Sequence, residues 1–328
     1  TPSSSSAASD VYKRQTQYRD LPEELVLILK ALPKHTRPMD VLQMAVSSLG
    51  TFYDLEVSPE KVKGKKYDDE YFLNTSAALI GALGSIVAAW HRIRNGDEPI
   101  SSKPDCTYAE NFLRILGAKK ITPLMTRIMD ATLVLHGEHT INASTFTAMV
   151  TSSTLANASQ VVASAIGSLS GPLHGGANEK VIAMLQKIQS KEEIRPWLDE
   201  TLKAKNVVWG MGHREYSVKD PRANILTDMV QELFEEREGG VTDIFEKAIE
   251  LEKACEEKLS HKGVYPNVDF YSGILYKEMD IPTDIFTPIF AMSRVSGWLA
   301  HWIEQIQDNN IFRPTQNYVG SDDRAYID

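Results

Sequence analysis

Apolar residues recur along most of this chain at helical spacing, and the breaks between them carry helix punctuation. Leu21 to Leu32 places apolar residues three and four apart, with Asp20 at the N-cap position, Pro22 in the first turn and Pro33 just past the end. Thr36 to Ser48 repeats the device, with Pro38 near its start and Gly50 after its end. Thr75 to Arg94 predicts a long helix that stops at Asn95-Gly96. Asn95 to Asp105, with Pro99, Pro104 and two serines, predicts an exposed loop. Thr122 to His136 is helical in pattern and ends at Gly137. Ser144 to Ser170 is rich in Ala, Ser and Thr, small residues that let helices approach closely. A single central buried helix is predicted there. A flexible serine-rich linker is the alternative, opposed by the apolar face of Val150, Leu155, Val161, Val162 and Ile166.

Beyond a glycine-rich break at Gly171 to Gly176, five more segments read as helices: Ala177 to Ser190, Glu192 to Lys205, Pro221 to Glu238, Thr242 to Ser260 and Ile285 to Gln307. Almost no segment alternates with period two for more than four residues, and no repeat of fixed period is present. The predicted fold class is all-α. The break before His174 and the return of a long apolar helix near Ile285 suggest a smaller domain, about 177–282, inserted into a larger one formed by 16–176 and 283–328. Residues 1–15 are Ser/Ala-rich and lack the apolar core of a secretory signal. They are expected to be a disordered leader or an expression or assembly scar.

Composition narrows the function classes. The chain has 328 residues, 42% hydrophobic and 24% charged, as an ordinary globular protein does. A formal net charge of −9 argues against nucleic acid as the main partner, yet permits an anionic substrate wherever arginines and histidines cluster in a cleft. Cys106 and Cys255 could form one disulfide, but their spacing fits no metal or redox motif. A reduced, cytoplasmic setting is the simpler reading. The longest mostly apolar run, Ala77 to Trp90, is too short for a bilayer and fits a buried helix, so no membrane association is expected.

Three stretches carry the chemistry: GPLHGGANE (Gly171 to Glu179), GMGHREYSVKDPR (Gly210 to Arg222) and YPNVDFYSG (Tyr265 to Gly273). Each offers one proton-transfer candidate: His174, His213 and Asp269. Two histidines beside glycines, a carboxylate and nearby arginines suit carbon-acid chemistry on an anionic substrate. One group removes a proton from carbon while another stabilises the developing oxyanion. Taken alone, His174 could equally be a capping or core histidine. Gly210 to Gly212 could be a phosphate loop, but the third glycine of the dinucleotide fingerprint and the Gly-Lys-Ser/Thr of a P-loop are missing. Asp269 sits between Val268 and Phe270, where burial would raise its pKa; an N-cap is its structural alternative. His136 and His139 are three apart and invite a metal reading that no other motif supports. Arg222, Arg294 and Arg313 could converge on a dicarboxylate, since guanidinium groups bind carboxylates bidentately. An isolated arginine is more often a solvated surface residue. His35, His91 and His261 read as surface residues.

With HGEHTINAS, SRVSGW and FRPTQNY, these motifs resemble the citrate synthases in order and spacing, from about Leu21 to about Asp328. The resemblance implies a large helical domain and a small one closing over a cleft, and a homodimer whose sites are shared between subunits. It implies that oxaloacetate is held by His139, His213, Arg222 and Arg294, and by Arg313 reaching across from the partner. Asp269 is then the base that takes a methyl proton from acetyl-CoA, and His174 the donor to the thioester oxygen. Val208, Gly210, Gly212 and, more weakly, Asn267 would contact coenzyme A. No metal or tightly bound cofactor is implied; acetyl-CoA is a co-substrate. His136 would be a neighbouring structural group, and His301 has no assigned role. Citrate synthases carry a further folded stretch ahead of the helix that begins here at Leu21, and this chain is expected to lack it. Two rivals stay open on sequence alone. A 2-methylcitrate synthase would use propionyl-CoA with the same machinery, one methylene being discriminated by only ~1–3 kcal/mol. An inactive helical remnant would release no thiol from acetyl-CoA.

Overall fold

In the computed structural model the described residues are 13–55, 69–213, 215–216, 218–236, 240–321 and 324. They form helices joined by short turns, with one isolated two-residue bridge, Met211 to Pro266, and no strand among them. In chain order the helices are α1 Glu23–Ala31, α2 Pro38–Ser48, α3 Asp69–Arg94, α4 Tyr108–Leu116 and α5 Pro123–His136. Next come α6 Ala143–Ser153, α7 Ala158–Leu169, α8 Ala177–Lys187 and α9 Ile194–Lys203. The last four are α10 Pro221–Glu235, α11 Asp243–Leu259, α12 Val268–Glu278 and α13 Phe286–Gln307.

Local chemistry explains most of the boundaries. Thr107, Thr122, Asn142, Asn157, Thr242 and Asn267 each accept a backbone N–H of the first turn of the helix that follows. Such caps stabilise a helix by ~1 kcal/mol each. Asp20 is not one of them. Helix α1 starts from Pro22 with no side-chain cap, and Asp20 instead accepts the N–H of Ser102 at 2.9 Å.

The predicted single helix over Ser144 to Ser170 is two helices. The chain leaves α6 at Thr154, turns through Leu155 at φ +62°, and restarts at the Asn157 cap; α6 and α7 then pack against each other. The small residues therefore serve a helix–helix contact within a hairpin. Helix α4, capped by Thr107 and closed by Gly117 at φ +99°, was not anticipated from the sequence.

Helices α3 and α13 form the centre of the larger core. Helix α13 packs on α3, α5, α6 and α7, and α3 on α2, α4 and α13. Trp90, Trp298 and Trp302 are fully buried there, and Phe72 meets Trp302 edge-on at 5.5 Å. Each apolar side chain fully buried in this way contributes roughly 1.5–3 kcal/mol. By length and composition alone, Glu70–Arg94 could cross a membrane, a longer apolar helix than the sequence reading anticipated. Of its apolar 18-residue stretch, 83% is buried within the protein, as befits a core helix.

Helices α8 to α12 form a second packed group, with α12 against α8 and α10, and α11 against α8 and α9. This group meets the first where α10 and α12 touch α5 and where α8 touches α13. An Arg127–Glu232 ion pair and a Thr287 hydroxyl donating to Glu179 cross the junction. Of the expected leader 1–15, residues 1–12 lie outside the described residues. Gln15 does not behave as a leader: it is buried, and its side chain accepts from Arg19 at 2.9 Å. His35 and His261 are exposed as expected, whereas His91 is half-buried beside Arg94.

Candidate active site

A cavity of about 710 Å³ opens where the two helix groups meet. His139, His174, His213, Arg222, Asp269 and Arg294, drawn from five separate segments, all line it.

His174 sits in the turn between α7 and α8, its own N–H donating to Gly171 at 2.9 Å. Its Nε2 accepts the backbone N–H of Ser144 at 3.2 Å and lies 2.8 Å from the Ser144 hydroxyl. An imidazole nitrogen that accepts a backbone N–H cannot carry the proton, so the neutral ring is protonated at Nδ1. Burial, then the charge of Arg294, lowers the His174 pKa and favours that neutral form. Ser144 is fixed in turn: its hydroxyl lies 2.8 Å from the Asn142 side-chain oxygen and receives the Trp298 indole N–H at 3.1 Å.

His213 follows a loop braced against the segment that carries Asp269. Gly212 N–H donates to Tyr265 at 2.7 Å, Asn267 N–H to Gly210 at 2.9 Å, and the Asn267 side-chain amide to Gly212 at 2.9 Å. Gly210, at φ +79°, could not be replaced without strain, because a Cβ there would lie 2.7 Å from Val181 and 2.9 Å from Phe270. The N–H of Glu215 donates to His213 Nδ1 at 3.0 Å, which leaves the proton of the neutral ring on Nε2. Burial first, then His139 and Arg222, lower the His213 pKa.

Asp269 is the second residue of α12, whose N-cap is Asn267, so Asp269 is not the cap. Desolvation raises its pKa to about 6 against the pull of Arg222 and Arg294. Arg222 is gripped by Asp220, which takes Nε at 3.0 Å and Nη2 at 2.8 Å and also accepts the N–H of Val268 at 3.2 Å. That buried carboxylate thereby ties an arginine of the cavity to the start of the helix bearing Asp269. Arg294 is only 3% exposed and donates to the His136 carbonyl at 2.7 Å. No described carboxylate forms an ion pair with it, and burial holds its pKa down at about 10.

His139 lies in the turn after α5, 4.9 Å ring to ring from His213. Burial, then Arg222 and Arg294, lower its pKa. Its Nε2 is 3.0 Å from the hydroxyl of Tyr216, whose ring packs on both histidines. His136, which ends α5, is buried with Nδ1 donating to Thr132, and its pKa falls to about 4 through desolvation. The wall thus presents three histidines biased to neutrality, two guanidinium groups and two carboxylates, Asp269 and the exposed Glu215. The two guanidinium groups and the neutral histidines give a small dianion its hydrogen-bond donors.

Not every sequence candidate reaches the cavity. Gly212 lines it, whereas Val208, Gly210 and Asn267 do not. Arg313 is exposed on the extended segment after α13, outside the cavity of its own chain. Sequence reasoning missed Tyr216, Asp220 and Ser144. All three lie inside or beside the quoted motifs, but their roles depend on contacts between distant segments.

Comparison with known proteins places the chain in one family. Residues 2–315 match the family described as "Citrate synthase, C-terminal domain". A protein of Acidithiobacillus ferridurans named "Citrate synthase" is 47% identical over 301 residues, spanning 92% of this chain and 77% of that one. The crystal structure of citrate synthase from Pyrobaculum aerophilum has a TM-score of 0.89 at 34% identity, covering 97% of this chain and 80% of that one. The ternary complex of carboxymethyl coenzyme A and oxaloacetate with citrate synthase from Thermoplasma acidophilum has a TM-score of 0.84 at 29% identity, covering 98% and 82%. By motif, fold and likeness over nearly its whole length, the chain belongs to the citrate synthase family.

Proposed function

We propose that this protein condenses acetyl-CoA with oxaloacetate and hydrolyses citryl-CoA to citrate and coenzyme A. The observation that carries the reading is the meeting of His139, His174, His213, Arg222, Asp269 and Arg294 in one cavity, within a chain of this family.

Arg222 and Arg294 take the carboxylates of oxaloacetate, with His139 and His213 donating to the same substrate. His213 Nε2–H faces the ketone oxygen. The 177–282 unit then closes on the rest and shuts out water, which strengthens every charge interaction inside. Asp269, ionised, removes a proton from the acetyl methyl group. The C–H electron pair becomes the C=C bond of the enolate, and the thioester oxygen takes up charge against His174 Nδ1–H. The enolate carbon attacks the ketone carbon of oxaloacetate, His213 delivers its Nε2 proton to the oxygen that leaves the π bond, and the proton held by Asp269 returns to the ring to restore both groups. Water then cleaves the thioester. Every step is a proton transfer or an acyl or aldol-type bond change, so the scheme calls for no redox cofactor and no metal.

The Val208 to Gly212 loop, Asn267 and Leu173 would border coenzyme A. The working unit is a homodimer in the cytoplasm, with Arg313 completing the oxaloacetate clamp of the partner. The test is thiol release from acetyl-CoA with and without oxaloacetate, with propionyl-CoA run in parallel. Release that depends on oxaloacetate and prefers acetyl-CoA is expected; release only with propionyl-CoA would reassign the acyl substrate.

A further inference from the structure

The turn that presents His139 is short, strained and held at several points along one helix. On α13, Ser293, Arg294, Gly297 and His301 lie along a single strip. The Ser293 hydroxyl donates to Leu133 O, Arg294 Nε to His136 O at 2.7 Å, and the Gly297 N–H to Gly137 O at 3.2 Å. Gly297 makes that approach possible, since a Cβ there would lie 2.6 Å from the Gly137 carbonyl. The next contact is made by side chains. His301 Nε2 lies 2.8 Å from Glu138 Oε1, and the other oxygen of the same carboxylate accepts the N–H of Thr140 at 2.5 Å. Thr140 is β-branched and sits at φ +55°, a conformation such residues keep only when their surroundings impose it. His139 is the residue between the two ends of this bridge.

We propose that Glu138 and His301 are positioning residues for His139. The carboxylate pins both sides of the turn to α13 and so fixes the imidazole toward the substrate and Tyr216. Neither side chain touches the reacting atoms. The inference rests on the reading that His139 binds oxaloacetate, and its test separates the two.

Glu138→Ala, His301→Leu and His301→Gln are compared with wild type. The readouts are the melting temperature, steady-state kinetics and the ¹³Cε1 resonance of His139, assigned by its loss in His139→Gln. Loosening the turn is expected to move the His139 resonance in Glu138→Ala and His301→Leu. It should raise KM for oxaloacetate about tenfold while changing kcat far less. His301→Gln keeps an N–H donor within reach of Glu138 and should restore KM to near the wild-type value. A lower melting temperature with an unchanged KM and an unmoved resonance would mean a purely structural contact and overturn the proposal. Should Glu138→Ala fail to fold, the His301 pair decides alone. Absence of oxaloacetate-dependent thiol release in wild type would sink the functional reading instead. The His139 resonance would still decide whether the clamp exists, an unmoved resonance counting against it.

Discussion

The backbone N–H of Ser144 points at Nε2 of His174, 3.2 Å away, and so decides which edge of that imidazole faces the cavity. A ring protonated at Nδ1 can donate one hydrogen bond while remaining neutral, as a stabiliser of a developing enolate oxygen should. His213 is the mirror case: Glu215 N–H occupies Nδ1 and leaves the proton on Nε2. Neither tautomer depends on a charged partner; each is set by a backbone amide, from a distant segment for His174 and from its own loop for His213.

The two histidines should therefore fail differently. His174→Ala is expected to lower kcat by ~10²–10³ through loss of an oxyanion donor, with oxaloacetate affinity unchanged. His213→Ala should weaken both turnover and oxaloacetate binding, because its N–H addresses the ketone of that substrate. Calorimetric titration with oxaloacetate beside steady-state kinetics checks this. Identical oxaloacetate binding in both variants would contradict the division of labour.

Asp269→Asn keeps the shape of the side chain and removes the base. A loss of ~10²–10⁴ in kcat is expected, with oxaloacetate still bound. The pH profile supplies a second sign. Asp269 works as the carboxylate, and its pKa is about 6. In wild type kcat/KM should fall as pH drops below that value, and this acid limb should be missing from the residual rate of D269N. Near-wild-type turnover in the variant would remove Asp269 from the mechanism.

The same carboxylate should cost stability. Its pKa rises from 3.8 to about 6 on folding, chiefly through burial, so the folded chain holds the proton to higher pH than the unfolded chain. Between those values the folded state binds more protons, and stability falls as pH rises. Above about pH 6 the charged carboxylate stays buried at a cost of up to ~3 kcal/mol, at about 1.4 kcal/mol per unit. D269N should accordingly melt higher than wild type at pH 7 to 8, with the gain shrinking toward pH 4. A gain that is constant with pH would point to packing rather than charge.

Motif residues were the legible part of the site. His174, His213 and Asp269 stand among glycines, prolines and aromatic residues whose spacing is distinctive, and all three line the cavity. Long helices with proline or glycine ends, such as α5 and α10, were legible for the same local reason. What escaped was decided across segments. The break between α6 and α7 falls at Thr154 to Asn157, with no glycine or proline to mark it, because Leu155 takes the left-handed turn and Asn157 supplies a cap. Asp220 reads as one more carboxylate until it is seen gripping Arg222 and the N–H of Val268 together. Tyr216 is an unremarked aromatic residue until the fold sets it against His139 and His213.

The last expectation concerns assembly. Ile141, Phe146 and Val150 are between 37% and 59% exposed; Ile141 lies just ahead of α6, and Phe146 and Val150 lie one turn apart on it. Exposed apolar residues grouped in this way mark an interaction surface. Phe312 stacks on Phe146 at 6.2 Å and its N–H donates to Ser153 at 3.1 Å, so the segment after α13 runs along α6 and sets Arg313 beside these residues. A second copy covering this surface would take up Arg313 as well, in keeping with a shared oxaloacetate clamp. Two observations should follow. Phe146→Glu should give a folded monomer with little activity. Co-expressing an Arg313→Leu chain with a D269N chain should restore activity that neither has alone. In a mixed dimer one site combines an intact Asp269 with an intact Arg313 from the partner. With random pairing, about a quarter of wild-type activity is then expected. Sedimentation establishes that the dimers form. If mixed dimers form and stay inactive, or if the monomer turns over at the wild-type rate, Arg313 serves no partner and each site is complete within its own chain.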